Sequence, residues 1–166
     1  MQERSGEHPR GDAGQLALLV IFLAVWAVDS FALRFSTVLA LYAPLAVRLG
    51  AAALLLIGAV LLVRSGHAAV GHGREPAGVI RTGTFRFLRH PLYLGCILFY
   101  LALAVATASL LSLLVVAVIY RFYDFIAGYE ERLLEKRFGE EYRAYRAVTG
   151  KWLPCFGRRE RPVRTR

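Results

Sequence analysis

The residues best suited to chemistry form two groups separated by a long apolar stretch. The first is Arg89-His90-Pro91-Leu92-Tyr93-Leu94-Gly95; the second begins at Glu130-Glu131 and continues through Leu134, Phe138-Gly139, Tyr142, Tyr145 and Leu153-Pro154. Between them, Leu92 to Tyr120 carries no charged side chain. Pro91 suits the first turn of a helix, where its missing N–H is not needed. The free N–H groups of Leu92, Tyr93 and Leu94, with Arg89 and His90, then predict an anion-binding corner. Taken alone, Arg89 and His90 read more simply as headgroup anchors and Tyr93 as part of an aromatic belt. Glu130 and Glu131 repel one another in a tail dominated by arginine, which suits binding of a ligand's diol or cationic group. Their plainer reading is a solvated helix face paired with Arg132, Lys136 or Arg137. Held at the ends of a membrane element, such groups face water on one side and lipid on the other.

Other candidates are weaker. Arg121 and Asp124 are one turn apart and suit either a snorkelling pair or, through Arg121, an anionic acceptor. His67 and His72 lack further ligands at metal spacing, so no metal site is expected. Gly78 and Gly83 do not form a strand-turn-helix phosphate fingerprint, and no Ser-His-Asp or Cys-His set is recognisable. Cys96 and Cys155 belong to no C-x-x-C pair, which argues against a disulfide framework or zinc knuckle.

These groups must be positioned by membrane helices. Of 166 residues, 57% are hydrophobic, outside the ordinary soluble range. The net charge is +9, but the basic residues lie between apolar segments and in the tail, as the positive-inside rule requires. No basic stripe interleaved with aromatics supports nucleic-acid binding. Residues 1–14 read as a polar, Gly-rich arm and 157–166 as a basic tail, flanking one domain over 15–156. The C-terminal Val-Arg-Thr-Arg is not a prenylation motif, and the first apolar run reads as a retained helix, not a cleaved signal.

The first span is expected from Gln15 to Leu33, with Asp29 near one face. The second runs from Leu41 to Val63, interrupted by Arg48, with Gly50, Ala51, Ala52, Ala53, Gly58 and Ala59 permitting close helix approach. Arg64 to Arg89 reads as a polar loop punctuated by Gly71, Gly73, Pro76, Gly78 and Gly83. The third apolar region would be roughly 43 Å as a single helix, against a hydrocarbon core of roughly 30 Å. A single span would also put two basic regions on opposite faces, which the positive-inside rule disfavours. The expectation is therefore a hairpin turning near Ala106-Thr107-Ala108-Ser109. An all-α polytopic membrane protein follows, with four transmembrane helices and both termini cytoplasmic. Short cytosolic helices are predicted at Tyr129–Phe138 and Glu140–Val148, with a stop or kink at Gly139. The Arg-rich, Lys-poor usage points to a bacterial inner membrane.

Val79 to Gly95, and then Glu130-Glu131 through Phe138-Gly139-Glu140-Glu141-Tyr142 and Tyr145 to Leu153-Pro154, resemble the isoprenylcysteine carboxyl methyltransferase family and the related phospholipid N-methyltransferases. The resemblance covers roughly the second half, 79–156. It implies an integral-membrane methyltransferase using S-adenosylmethionine, reached from the cytosol, with a lipophilic acceptor entering from membrane lipid. It also implies a cofactor pocket of Arg89, His90, Pro91, Tyr93, Gly95, Glu130, Glu131, Tyr142, Tyr145, Leu153 and Pro154. His90 and nearby N–H groups would hold the donor's carboxylate, Glu131 with Glu130 its ribose or ammonium, and Leu153-Pro154 would cover the adenine. His90 and Arg121 are the candidate catalytic residues. Arg121 would orient a carboxylate acceptor, whereas an amine acceptor would need a base such as His90 or a glutamate. Sterol reductases carry a similar C-terminal signature, so a membrane reductase and a non-catalytic membrane subunit are the alternatives.

Overall fold

The computed structural model describes residues 11–70 and 78–155. The first ten residues, the loop portion with Gly71, His72, Gly73, Arg74, Glu75 and Pro76, and the tail 157–166 lie outside the described residues. Within them the elements are helical: α1 (Gly11–Ala27), α2 (Leu45–Val70), α3 (Pro91–Thr107), α4 (Leu110–Phe138) and α5 (Glu140–Val148). Helices satisfy their backbone groups internally, as hydrocarbon demands. Among the described residues, three segments are long and apolar enough to cross a membrane: Ala13–Leu33, Leu45–Ala69 and Leu110–Phe138. α3 is equally apolar but shorter, at 17 residues.

The helices alternate in direction. Near its start α1 meets α4, with Gly14 against the Phe122 ring. Midway, Phe22 packs edge-on to Tyr100 at 4.8 Å, and Phe22, Ile97, Tyr100, Val116, Ile119 and Tyr123 form the core. The starts of α1 and α3 and the ends of α2 and α4 therefore share one end of the bundle; the other end is called the apex below.

α3 packs most closely along α2. Buried Ala52, Ala59 and Gly66 recur every seven residues on α2; Ala59 meets buried Gly95 of α3, and Gly66 meets Leu92. At Gly95 a Cβ would fall 3.1 Å from the Ala59 carbonyl oxygen and 2.7 Å from Val63 Cγ2. Here the small-residue stripe of the second span finds its partner.

The hairpin turns where expected. Ala108 adopts a left-handed conformation (φ 54°), and Ser109 caps α4 by accepting from the Ser112 N–H at 3.0 Å. Tertiary contacts complete this cap. The N–H groups of Leu110 and Leu111 donate to the Ser36 carbonyl (3.1 Å) and Ser36 Oγ (2.8 Å). Asp29, 2% exposed, accepts from the Ser36 N–H at 3.0 Å and from the hydroxyls of Ser36 and Ser109. Its carboxylate thus lies at the positive end of the α4 dipole. Asp29 sits in a π-helical widening, Val28–Leu33, that continues α1. Nearby, Trp26 Nε1 donates to the Leu103 carbonyl at 3.1 Å, and Arg48 donates to the Ala106 carbonyl at 3.1 Å.

Four boundaries differ from the sequence reading. α1 begins at Gly11, not Gln15. α2 begins at Leu45, after a short 3-10 turn at Thr37–Leu41, and runs on to Val70. The polar turns after Val63 stay helical because Gly66 packs on Leu92 and Ser65 Oγ accepts from the Thr84 N–H at 3.3 Å. The separate helix at Tyr129–Phe138 does not exist: α4 is continuous over 29 residues, since no proline interrupts 121–128. At roughly 1.5 Å per residue it outreaches the hydrocarbon core, so its glutamate-bearing end emerges from the bilayer. α5 and the break at Gly139 (φ 54°) match the expectation.

Candidate functional site

At the end opposite the apex, the hairpin brings the two polar groups into contact. His90 caps α3 and Pro91 opens it, while Glu130 and Glu131 lie in the last turns of antiparallel α4. Arg89 Nε donates to Glu131 Oε1 at 2.8 Å, and His90 Nε2 lies 3.2 Å from the same oxygen. Arg146 Nε is 3.7 Å from Glu131 Oε2. On the next level Tyr93 donates its hydroxyl to Glu130 Oε1, and His90 Nδ1 lies 3.7 Å from Glu130 Oε2. The His90 and Tyr93 rings stack in nearly parallel planes, 5.7 Å between centroids. Burial lowers the His90 pKa below its ordinary value despite the Glu131 carboxylate, so the imidazole is neutral at neutral pH.

The C-terminal segment closes over this pair. Beyond α5 the chain returns alongside residues 87–89: the Arg89 N–H donates to the Gly150 carbonyl at 2.8 Å and the Gly150 N–H to the Phe87 carbonyl at 3.2 Å. It then turns so tightly that a Cβ on Gly150 would fall 1.6 Å from the Leu153 carbonyl oxygen. This turn brings Trp152 against His90 (5.9 Å) and Tyr120 (5.7 Å). Asp124 on α4 anchors it, accepting from Lys151 Nζ and from Trp152 Nε1 at 3.0 Å. α5 is held by Tyr145, which donates to the Phe85 carbonyl at 2.7 Å and whose phenol is pushed up to about 12 by burial.

The expected site residues fall in different surroundings. Arg89 is engaged by Glu131 and by the carbonyls of Arg146 (3.2 Å) and Thr149, and the Leu94 N–H donates to the His90 carbonyl at 3.0 Å. Glu131 pairs across the hairpin, not with Arg132, Lys136 or Arg137. Asp124 turns to Lys151 and Trp152, and the Arg121 side chain is exposed on α4, outside the cluster. Gly95 lies at the crossing with α2. Pro91, Tyr142 and Tyr145 are buried supports, Leu153 is 77% exposed and Pro154 half-buried. His67 is exposed, and among the described residues no group of three or more His, Cys, Asp and Glu could hold a metal. An apolar hollow of about 340 Å³, lined by Ala24, Val28, Leu33, Phe35 and Leu111, lies toward the apex and contains none of the cluster.

Sequence reasoning missed Lys151, Trp152 and Tyr120, and gave Asp124 the wrong partner. The Gly150-Lys151-Trp152 run before Leu153-Pro154 was the available signal: a tight turn followed by a large aromatic beside an already identified motif.

The arrangement offers two carboxylates, a neutral imidazole and the π faces of Tyr93, Tyr120 and Trp152 at the edge of a bilayer. That combination suits a cation with polar appendages. Tyr142, close to Glu131 and Arg89, also keeps a buried hydroxyl without a hydrogen-bond partner.

Comparison with known proteins places this geometry in a family. Over 70 residues the chain is 40% identical to methanethiol S-methyltransferase 1 of Bradyrhizobium diazoefficiens, a match covering 42% of this chain and 24% of that protein. The match thus spans about a quarter of the curated relative's length. No solved structure matches. Residues 47–141 match the phospholipid methyltransferase family. That stretch is more than half of the chain and holds both Arg89-His90 and Glu130-Glu131, so the protein belongs to the phospholipid methyltransferase family of membrane methyltransferases.

Proposed function

We propose that this protein is an S-adenosylmethionine-dependent methyltransferase that crosses the membrane four times, with both termini and the site on the cytosolic side, and methylates a lipophilic acceptor. The observation that carries the reading is the meeting of His90 and Tyr93 with Glu130 and Glu131 beneath Trp152. Family membership favours it over a reductase. α3, at roughly 26 Å, is short for a span, but modest local thinning accommodates it.

The site fits this cofactor. S-adenosylmethionine, when bound, supplies an activated methyl group on a sulfonium. Glu130 would supply negative charge for its cationic portion, Glu131 being held by Arg89, His90 and Arg146, and the rings of Tyr93, Tyr120 and Trp152 would supply π faces. His90 and the Leu92 and Tyr93 N–H groups are positioned to receive its carboxylate at the start of α3. Leu153-Pro154, adjoining Trp152, covers the adenine. Arg89 acts differently: clamped by Glu131 and two carbonyls, it fastens the C-terminal segment to the hairpin. Exposed Arg121 remains available to steer an anionic acceptor headgroup. The segment also excludes water, so catalysis is chiefly alignment of the acceptor with the methyl group.

Equilibrium binding of tritiated S-adenosylmethionine to the detergent-solubilised protein tests the first half of this proposal. Glu131→Ala should abolish or badly weaken binding, and unchanged affinity removes that residue from the site. Incubation of membranes with methyl-labelled donor tests the second half: label should enter the organic phase of a lipid extract. Label confined to the aqueous phase would argue for a second reading, a small water-soluble thiol acceptor, favoured by the 40% identity to a protein named for methanethiol.

A further inference from the structure

Neighbouring residues on a helix point roughly 100° apart, so Glu130 and Glu131 cannot serve the same partner equally. Glu131 is 6% exposed and committed to Arg89, His90 and Arg146. Glu130 accepts the Tyr93 hydroxyl and lies 3.7 Å from His90 Nδ1. α3 descends from His90 while α4 rises toward Glu131, so the Tyr93–Glu130 contact lies one level nearer the hydrocarbon. Beneath it the Tyr123 ring packs 5.1 Å from Tyr93. Tyr100 and Tyr123 are buried in an otherwise apolar core, where phenylalanine would fill the space without burying a hydroxyl. Glu130 and Tyr93 thus lie between the Arg89–Glu131 pair and the core that holds Tyr123 and Tyr100.

We propose that Glu130 and Tyr93 form the proton-accepting pair for a lipid-soluble acceptor whose nucleophilic atom carries a hydrogen, an alkyl thiol or an alkyl amine. This rests on the methyltransferase reading and narrows its acceptor class. A bond forms between the acceptor's sulfur or nitrogen and the methyl carbon, and the bond from that carbon to the sulfonium sulfur of the donor breaks, leaving a neutral thioether. The acceptor's proton passes to the Tyr93 oxygen as the Tyr93 proton moves to Glu130, which releases it to water. Charge balances: one sulfonium cation becomes one proton. A carboxylate acceptor, already ionised at neutral pH, would need no such pair. Glu131, neutralised by its cations, is the poorer base of the two.

The test uses the full-length protein in phosphatidylcholine–phosphatidylglycerol vesicles, tritiated S-adenosylmethionine, and 1-dodecanethiol, dodecylamine and dodecanoate as probe acceptors. The native protein should methylate the thiol or the amine. At neutral pH, Tyr93→Phe and Glu130→Gln should each lower kcat on the protic probe by about 100-fold or more, the usual worth of a general base. On the thiol that deficit should shrink to within about tenfold as pH rises and the thiolate forms unaided, which a merely structural defect would not do. Tyr93→Phe keeps the ring and should bind the donor within about threefold of the native protein, because a ring face, not the hydroxyl, meets the cation. Methylation of dodecanoate alone, native kcat in both variants, or a pH-independent deficit would overturn the proposal. Failure of the native protein to bind S-adenosylmethionine would instead overturn the methyltransferase reading, and this assignment with it.

Discussion

Asp29→Ala removes the acceptor that ties the first helix to the hairpin turn. The carboxylate accepts from the Ser36 N–H, the Ser36 hydroxyl and the Ser109 hydroxyl, and it is 2% exposed, so water cannot replace it. The bond from Ser109, which crosses to the hairpin, is worth roughly 0.6 to 1.7 kcal/mol, and the two local bonds from Ser36 about 0.5 to 1.5 kcal/mol each, giving roughly 2 to 5 kcal/mol for the three. Loss of a negative charge at the α4 N-terminus adds about 0.3 to 1 kcal/mol. Against a total stability of about 5 to 15 kcal/mol, this is a large fraction. Reversible unfolding in mixed micelles of increasing dodecyl sulfate, followed by Trp26 fluorescence in a Trp152→Phe background, measures it directly. Trp26 reports the same end of the bundle, through its bonds to Leu103 and Thr107. Asp29→Asn retains one carbonyl acceptor and should lose roughly half as much. A loss below about 0.5 kcal/mol in Asp29→Ala would refute the idea that this network fixes α4, since surface changes alone reach that size.

Further outcomes follow from other contacts. Gly95→Val should destabilise by about 1 to 3 kcal/mol, because overpacking must separate α2 from α3, and a lowered melting temperature checks it. Gly150→Ala should release the Trp152 segment while leaving the bundle intact, since a Cβ there meets the Leu153 carbonyl at 1.6 Å; faster proteolysis after residue 149 with unchanged helical circular dichroism is the expected result. His90 gives a pH dependence of definite sign. Burial lowers its folded pKa, so the unfolded chain takes up its proton first. Stability should therefore be full above about pH 6.5, fall as pH drops below it and level off below the folded pKa. His90→Gln should flatten that portion of the pH–stability curve.

Much of the fold was readable because apolar length and charge asymmetry are coarse signals that hydrocarbon enforces. The hairpin could be placed to within its four turn residues because one helix over Leu92 to Tyr120 and beyond would have been too long and wrongly charged. The meeting of Arg89-His90 with Glu130-Glu131 followed from that turn. Partner choice was not readable. Nothing local distinguishes Glu131 pairing with Arg137 from Glu131 pairing with Arg89 across the hairpin; only the register of α3 against α4 decides it. Asp29 looked like a residue near a membrane face because its partners, Ser36 and Ser109, are distant in sequence and individually unremarkable hydroxyls. Gly95 fell within a motif and was assigned to the donor; the close approach of α2 at the same residue could not be read from that motif. Helix ends moved for a related reason: tertiary contacts at Ser65 and Gly66 keep polar turns helical that composition alone reads as loop.

The account depends on Arg89 and Glu131 acting as one clamp that closes both motifs over one donor. A double-mutant cycle on S-adenosylmethionine binding, with Arg89→Gln, Glu131→Gln and the pair, tests this directly. Each single change should weaken binding by about tenfold or more, since either leaves a buried charge unpaired, and the double variant should be no worse than the weaker single one. Losses that simply add would contradict it, because independent effects mean that the two residues do not hold one site together.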